Sequence, residues 1–240
     1  MAATGYSKPP IVEAAIEFRF VERLSPRDLE RLRERFRSKF PKIEDQQKIE
    51  VAVTPQGIKT NATPVGSKMT AANAVDIVII QEDLFNSIRL APYDGWEKFI
   101  ATAKENYELF TKVADRRTIS RIGSRFINRL DIPVAEMKDI DILEFIRFGV
   151  AMPEEMSKTI GPFSVAANFQ ADGVKVLAQC GVIAPALLDH LSVVLDIDVF
   201  VDSDIKPHKD AIWEVAGALR AMKNRVFEAS ITDRVRARFK

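Results

Sequence analysis

Cysteine is almost absent from this chain of 240 residues, which contains only Cys180. A single cysteine excludes an internal disulfide, and such low usage is typical of a reducing compartment. Long hydrophobic runs are also missing, because the apolar run at residues 77–80 is far too short to span a bilayer. The first eight residues have no apolar core of the kind that a secretory signal needs. We therefore expect a cytoplasmic protein with no membrane partner.

An excess of charge of either sign is missing as well. The chain carries 35 basic and 34 acidic residues, for a formal net charge of +1. The molecule as a whole therefore has no strong attraction for DNA or for an anionic membrane, and any affinity for anions must come from local patches. With 47% hydrophobic and 29% charged residues, the chain can bury a sizeable core, as one large domain or two small ones.

Motifs with a defined chemistry are equally scarce. No glycine-rich loop is followed by the lysine and hydroxyl residue that cradle phosphates. Cys180 and His190 could form a nucleophile–base pair, but no oxyanion or orienting motif accompanies them. His190 and His208 lack the neighbouring cysteine or acidic residues of a zinc site. Asp196, Asp198 and Asp202 could begin a divalent cation site, but no nearby segment completes it. The sequence assigns no catalytic residue, no metal ligand and no cofactor.

Two hydrophobic periodicities follow one another along the chain. Period-two alternation predicts strands near residues 12–20, 49–53, 75–80, 84–90, 119–133, 163–171, 174–180 and 193–202. Helical periodicity predicts three long helices near residues 26–40, 96–113 and 212–226, and Thr232 is expected to cap a final basic helix. Ser25 with Asp28, and separately Asp94, are expected to cap the first two helices. Residues 55–74, rich in Thr, Asn, Pro and Gly, are predicted to form a loop.

This order of elements favours an α+β fold with antiparallel sheet over a regular parallel series. We predict two closely packed halves, residues 1–133 and 134–240, each a mostly antiparallel sheet covered by helices. The two halves could also form one continuous domain.

The segment from Ile119 to Pro133 carries the strongest local pattern. Strand alternation places Arg121, Arg125 and Arg129 on one face and apolar side chains on the other. Such a row of guanidinium groups binds phosphates or a partner's carboxylates, or else pairs with acids on neighbouring strands of its own sheet. The pairing alternative predicts that Arg125 lies within ion-pair reach of Glu13, Glu17 or one of the β-strand aspartates at 196, 198 and 202.

Four segments of the chain resemble, as a set, a known family. They are Lys8 to Phe20, Pro92 to Glu97 (PYDGWE), Arg125 to Arg129 (RFINR) and Phe227 to Asp233 (FEASITD). The chain resembles a sporadically distributed family of uncharacterised bacterial and archaeal proteins of about this length, which share a proline-led N-terminal strand and an Arg-aromatic-Ile-Asn-Arg segment. The patchy distribution of that family implies a horizontally moved gene in a mobile-element, defence or toxin–antitoxin setting.

The resemblance implies no activity or cofactor, but it marks positions that match the family. Phe126 stands where many relatives are expected to have Tyr, so a role of that hydroxyl would be missing in this chain. The matching positions are Glu13, Glu17, Tyr93, Trp96, Arg125, Asn128, Arg129 and Asp198. The charged and amide residues of this set, together with Arg121 and Asp196, define a candidate polar cluster with either an interaction role or a structural one. Its members are Glu13, Glu17, Arg121, Arg125, Asn128, Arg129, Asp196 and Asp198.

We expect a non-enzymatic protein-interaction component whose partner is another protein or a second copy of the chain. One alternative is a nucleic-acid-binding component that uses the arginine row and the basic helix faces at residues 27–39 and 220–240. A second alternative is an enzyme whose site combines Glu13, Glu17 and Asp198 with Arg125 in a concave pocket.

Overall fold

The structure is a computed structural model that describes residues 6–55, 57–136, 142–150, 162–205 and 209–240. Within these ranges the chain forms nine strands, three long helices and one short one. The strands are β1 Ile11–Phe20, β2 Lys42–Thr54, β3 Gly57–Thr70, β4 Asp76–Gln81, β5 Leu84–Leu90, β6 Ile119–Pro133, β7 Ser164–Ala171, β8 Val174–Ile183 and β9 His190–Ile205. The helices are α1 Pro26–Arg37, α2 Trp96–Ala114, α3 Lys209–Ser230 and α4 Asp233–Arg236.

All nine strands belong to one sheet, in the order β2-β3-β4-β5-β1-β6-β9-β8-β7. Every neighbouring pair is antiparallel. The predicted α+β class with antiparallel sheet is therefore confirmed. The prediction of a separate sheet in each half is not, because β1 and β6 hydrogen-bond to each other and join the strands into a single sheet.

The main core lies on one face of this sheet, which we call the helix face. Alternation in β1 and β6 buries one row of side chains from each strand on that face, including Phe18 and Phe126. The Phe18 ring lies 4.8 Å from the Tyr107 ring of α2 and 5.5 Å from the Trp213 ring of α3. Aromatic side chains of two helices therefore meet over the central strand and fix both helices against the sheet.

The opposite face of β1, β6 and β9, which we call the polar face, carries the charged residues that alternate with the core. Beside them a small apolar cluster is formed by Ala15, Ile77 and Ile88. The predicted alternation of Arg121, Arg125 and Arg129 against apolar residues is confirmed, since their neighbours Ile122, Phe126 and Leu130 are buried on the helix face.

The prediction of a loop at residues 55–74 is wrong for most of that segment. Residues 57–70 form β3, which pairs with β2 from Lys42 opposite Thr70 to Thr54 opposite Gly57. The segment lacks apolar alternation because most of it faces solvent and contributes nothing to the core. Gly66 is required where β3 meets β4, because a Cβ there would lie 2.0 Å from the Ile80 carbonyl oxygen.

Helix capping follows the sequence prediction at α1 but not at α2. The Ser25 hydroxyl accepts a hydrogen bond from the Asp28 backbone N–H at 3.2 Å, as predicted. At α2 the helix begins at Trp96, so Gly95 is the N-cap residue, and the Asp94 carboxylate accepts a hydrogen bond from the Arg89 guanidinium at 2.6 Å instead. Thr232 does precede α4, but its hydroxyl donates to backbone carbonyls of residues 144 and 145 instead of capping the helix.

Candidate functional site

The polar face brings together most of the predicted polar cluster. Arg121 is the centre of this arrangement, with its Nη1 2.5 Å from Glu17 and its Nη2 2.7 Å from Asp198. Its guanidinium also lies over the Phe200 ring, 4.2 Å from the ring centre. A third carboxylate, that of Asp202, lies 3.9 Å from Arg121 Nε. Only 17% of the Arg121 side chain is exposed, so its positive charge is neutralised in a partly desolvated setting.

Arg125 forms the ion pair that was predicted for it. Its Nε lies 2.9 Å and its Nη2 2.5 Å from the two carboxylate oxygens of Asp196, so the pair is two-pronged. The hydrogen bond to Asp196 raises the pKa of Arg125. Because 49% of the side chain is exposed, solvent weakens this pair. Glu13 contributes only a more distant charge, so a buried Glu13–Arg125 pair does not form.

The remaining two members of the cluster, Asn128 and Arg129, lie on opposite faces of the sheet. Arg129 pairs with Asp131 at 3.1 Å, and Asp131 accepts a hydrogen bond from Ser192 at 2.5 Å. Asn128 points to the helix face, where it is buried and its Nδ2 donates to the Leu195 carbonyl at 3.0 Å. All three arginines of the row thus bind carboxylates of their own sheet, which satisfies the condition set for the pairing alternative.

Burial also changes the acid–base behaviour of the cluster. Burial raises the pKa of Asp198, and the nearby Arg121 charge opposes this shift. An acid held beside an arginine in this way is a feature of structural ion pairs as well as of catalytic sites. Here Nη1 and Nη2 of Arg121 both contact carboxylates of the protein, so the guanidinium is not available to bind a substrate anion in a bidentate manner.

The other sequence candidates do not assemble into a site. Cys180 is opposite Leu195 in the β8–β9 ladder, five residues along β9 from His190, a separation of about 16 Å. Burial raises the pKa of the Cys180 thiol to about 11, which disfavours the reactive thiolate. His208 lies outside the described residues. Within the described parts of the chain, no group of three or more His, Cys, Asp or Glu side chains is placed to hold a metal ion.

A second site lies on the helix face and was not predicted. It is a cleft of about 1200 Å³ between α3, the loop that joins β5 to α2, and the segment that leads into β1. We call it the Lys223 cleft. Its aromatic lining is contributed by Tyr6, Tyr93, Trp96, Phe126 and Phe227, and its charged lining by Arg220, Lys223, Arg225, Glu228 and Arg236.

Lys223 is the unusual member of this lining. Its side chain is 5% exposed, and its Nζ lies 4.1 Å from the centre of the Phe126 ring. Among the described residues it makes no ion pair and its Nζ makes no hydrogen bond. The pKa of Lys223 is lowered to about 7, chiefly by burial and in smaller part by the charge of Arg220, whereas Glu228 opposes the shift.

The rim of the cleft is better satisfied than its interior. The Tyr6 hydroxyl donates to Glu228 at 2.5 Å, and Arg236 Nε lies 2.8 Å from the other oxygen of the same carboxylate. Arg220 stacks over the Trp96 ring, 5.0 Å from its centre, and has no acidic partner among the described residues. Burial also raises the pKa of Tyr93.

Part of this cleft could have been found from the sequence. Lys223 lies four residues after Leu219 and four before Phe227, so it shares the apolar side of α3. A lysine on an otherwise apolar helix side indicates a buried charge. The signal was missed because Lys223 was counted with the other basic residues of the helix. Tyr6 and Tyr93, which also line the cleft, belong to distant segments of the chain, and no local sequence pattern relates them to α3.

No protein-family model matches the chain, and no curated protein sequence is significantly similar to it. The family resemblance therefore stays a prediction. Among the described helices, none is both long enough and apolar enough to cross a membrane.

Proposed function

We propose that the protein is a non-enzymatic interaction component, and that its interaction element is the hairpin formed by the outer parts of β2 and β3. Within the described parts of the chain, residues 47–54 and 57–64 of this hairpin pair only with each other, because β3 does not pair with β4 until Gly66. We call this hairpin the arm. Eight residues of paired strand extend for about 27 Å.

The single observation that carries the proposal is the exposed apolar face of the arm. Ile49, Val51 and Ile58 have 64%, 61% and 72% of their surface exposed. Ile49 lies opposite Ala62 and Val51 opposite Thr60, whereas Lys48 and Glu50 point to the other face and pair at 2.7 Å. An isolated two-stranded ribbon is marginally stable, and three or more strands that share an apolar row are more stable, so this arrangement favours a partner that adds strands to the arm.

The partner to which we commit is a second copy of this chain. β2 is the last strand of the sheet, so one side of its backbone has no strand beside it in the described chain. Antiparallel pairing of two β2 strands around Gln46 sets Lys42 opposite Glu50, Ile43 opposite Ile49, and Glu44 opposite Lys48 of the second copy. Opposite charges and matched apolar residues at facing positions stabilise antiparallel strand pairs, and edge strands are prone to pair in this way.

The two alternative functions have less support. The three arginines of the row each bind carboxylates, which leaves them poor ligands for nucleic-acid phosphates. The same pairing weakens the proposal of an enzyme site built from Arg125 with Glu13, Glu17 and Asp198. A mobile-element, defence or toxin–antitoxin setting rests on the family resemblance alone.

The organisation into two halves is also part of the proposal. β5 precedes α2 and pairs with β1, and β9 precedes α3 and pairs with β6. This shared connectivity supports two similar halves that meet at β1 and β6. By this connectivity the boundary between the two halves lies before β6, and not after Pro133 as the sequence predicted.

A charge-swap series tests the proposed partner. Lys42 and Glu50 suit this test because their own neighbours on β3 are the uncharged Thr70 and Asn61, and the ion pairs that they form with Glu44 and Lys48 are exposed and lie within β2 itself. Light scattering over a range of concentrations should show a dimer for the natural chain. Lys42→Glu or Glu50→Lys alone places like charges opposite each other twice per dimer, which we expect to weaken dimerisation by about tenfold or more.

The double variant and a control complete the series. Combining Lys42→Glu with Glu50→Lys restores opposite charges across the interface and should restore the dimer, whereas Lys98→Glu on the exposed side of α2 should leave it unchanged. A chain that stays monomeric at every concentration would overturn the choice of partner. So would a dimer that is indifferent to both single variants.

A further inference from the structure

We propose that the Lys223 cleft binds a small organic anion with a planar apolar body, whose negative group lies beside Lys223 and Arg220. The site is separate from the arm and does not depend on the interaction proposed for it. The observation behind it is a nine-tenths buried amine that points into a large cleft without an acidic partner.

The charge balance of the cleft selects the sign of the ligand. Arg236 is neutralised by Glu228 and Asp233, and Arg225 pairs with Asp172 outside the cleft. Lys223 and Arg220 are the two cations of the lining that have no acid among the described residues. A buried cation without a counter-ion is costly, so an anion that enters the cleft gains the interaction that the protein itself does not supply.

The walls of the cleft select the shape of the ligand. Phe126 contacts the Lys223 amine, and Trp96 carries the Arg220 guanidinium on its face. Tyr93 and Phe227 add two more rings to the lining. Ligand sites typically combine such apolar, aromatic walls with a few convergent polar groups, and a cleft of about 1200 Å³ accommodates more than a bare inorganic ion.

The protonation of Lys223 gives the proposal a second measurable consequence. With its pKa lowered to about 7, the amine is largely neutral at moderately alkaline pH in the empty cleft. An anion beside it favours the charged form, so binding above about pH 7 should take up a proton. The other charged or titratable groups that line the cleft are Tyr6, Tyr93, Arg220, Arg225, Glu228 and Arg236.

The test uses two probes of the same shape, naphthoate and naphthamide, measured by isothermal titration on the whole chain. The natural protein should bind the anion about tenfold or more tightly than the neutral amide, because a charged partner strengthens the contact with a buried amine. Lys223→Met should weaken this preference, because Arg220 alone then faces the anionic group, and Lys98→Met on the surface of α2 should leave it unchanged. Titration at about pH 8.5 in two buffers of different ionisation enthalpy should show proton uptake in the natural protein and none in Lys223→Met.

Circular dichroism and the thermal unfolding of Lys223→Met and Lys223→Gln establish that the variants are folded, and either one suffices for the comparison. Binding of neither probe would overturn the proposal. It would also be overturned by equal affinities for the two probes, or by a preference for the anion that is undiminished in the Lys223 variants.

Discussion

The guanidinium of Arg121 occupies the space above Gly123, two residues along the same strand. A Cβ on residue 123 would lie 2.5 Å from Arg121 Nη1, which is closer than such atoms approach in proteins. The bare backbone of Gly123 therefore permits the conformation in which Arg121 reaches both Glu17 and Asp198. Glycine is unfavourable in a strand interior, and the space that the Arg121 ion pairs require gives a physical reason for it at position 123.

Replacing Gly123 with alanine should displace the Arg121 side chain and weaken both ion pairs. We expect the free energy of unfolding to fall by about 1–3 kcal/mol, because two partly buried carboxylates lose their counter-ion. Urea unfolding measures this loss. Gly217→Ala is the matched control: apart from the adjoining residues and backbone of α3, no atom of the described residues lies within 4 Å of the new methyl group, so it should stabilise the helix by about 0.5–1 kcal/mol. Equal effects of the two substitutions would contradict this account of Gly123.

The arginine strand could be predicted from the sequence because it is buried on one face only. Strand alternation places arginines at 121, 125 and 129 on one face and apolar residues at 122, 126 and 130 on the other. The carboxylate partner of Arg125 was also within reach, since Asp196 is on a strand of the same alternating type. The single sheet could not be predicted, because β1 and β6 pair through residues that are about one hundred positions or more apart in the sequence.

The arm and the Lys223 cleft show where pattern reasoning stops. The outer part of β2 and β3 has no core-facing row, so the hydrophobic signal that marks a strand is absent along most of β3. The cleft requires that Tyr6, Tyr93 and Phe126 meet α3 in space, which no local periodicity specifies. Only the position of Lys223 on an apolar stripe carried local information about that site.

Cys180 should be inert in the folded protein. Its side chain is 1% exposed, and burial raises the pKa of the thiol to about 11, so little thiolate forms at neutral or mildly alkaline pH. We expect a thiol-specific colorimetric reagent at about pH 8 to react slowly with the native chain and promptly with the chain unfolded in urea. Fast stoichiometric labelling of the native protein would mean that the β8 strand opens readily or that the thiol is activated.

Lys223 should reduce the stability of the fold most strongly below neutral pH. Because burial lowers the folded-state pKa from 10.5 to about 7, the unfolded chain holds the proton more tightly between these values. The free energy of unfolding therefore rises with pH across that window, and the cost of the buried charge is fully present below about pH 7. A shift of this size corresponds to a cost of up to about 5 kcal/mol.

Lys223→Met preserves the length of the side chain and removes the charge. We expect urea unfolding at about pH 6 to show a more stable variant, and at about pH 10 to show a gain that has nearly disappeared, because the natural lysine is then mostly neutral in the folded state and its burial costs little. Lys98→Met, at an exposed position of α2, should change stability by less than about 0.5 kcal/mol at either pH. If Lys223→Met destabilised the protein equally at both pH values, the amine would have to be solvated or paired in the native state. The cleft would then lack the unsatisfied cation that distinguishes it from an ordinary surface groove.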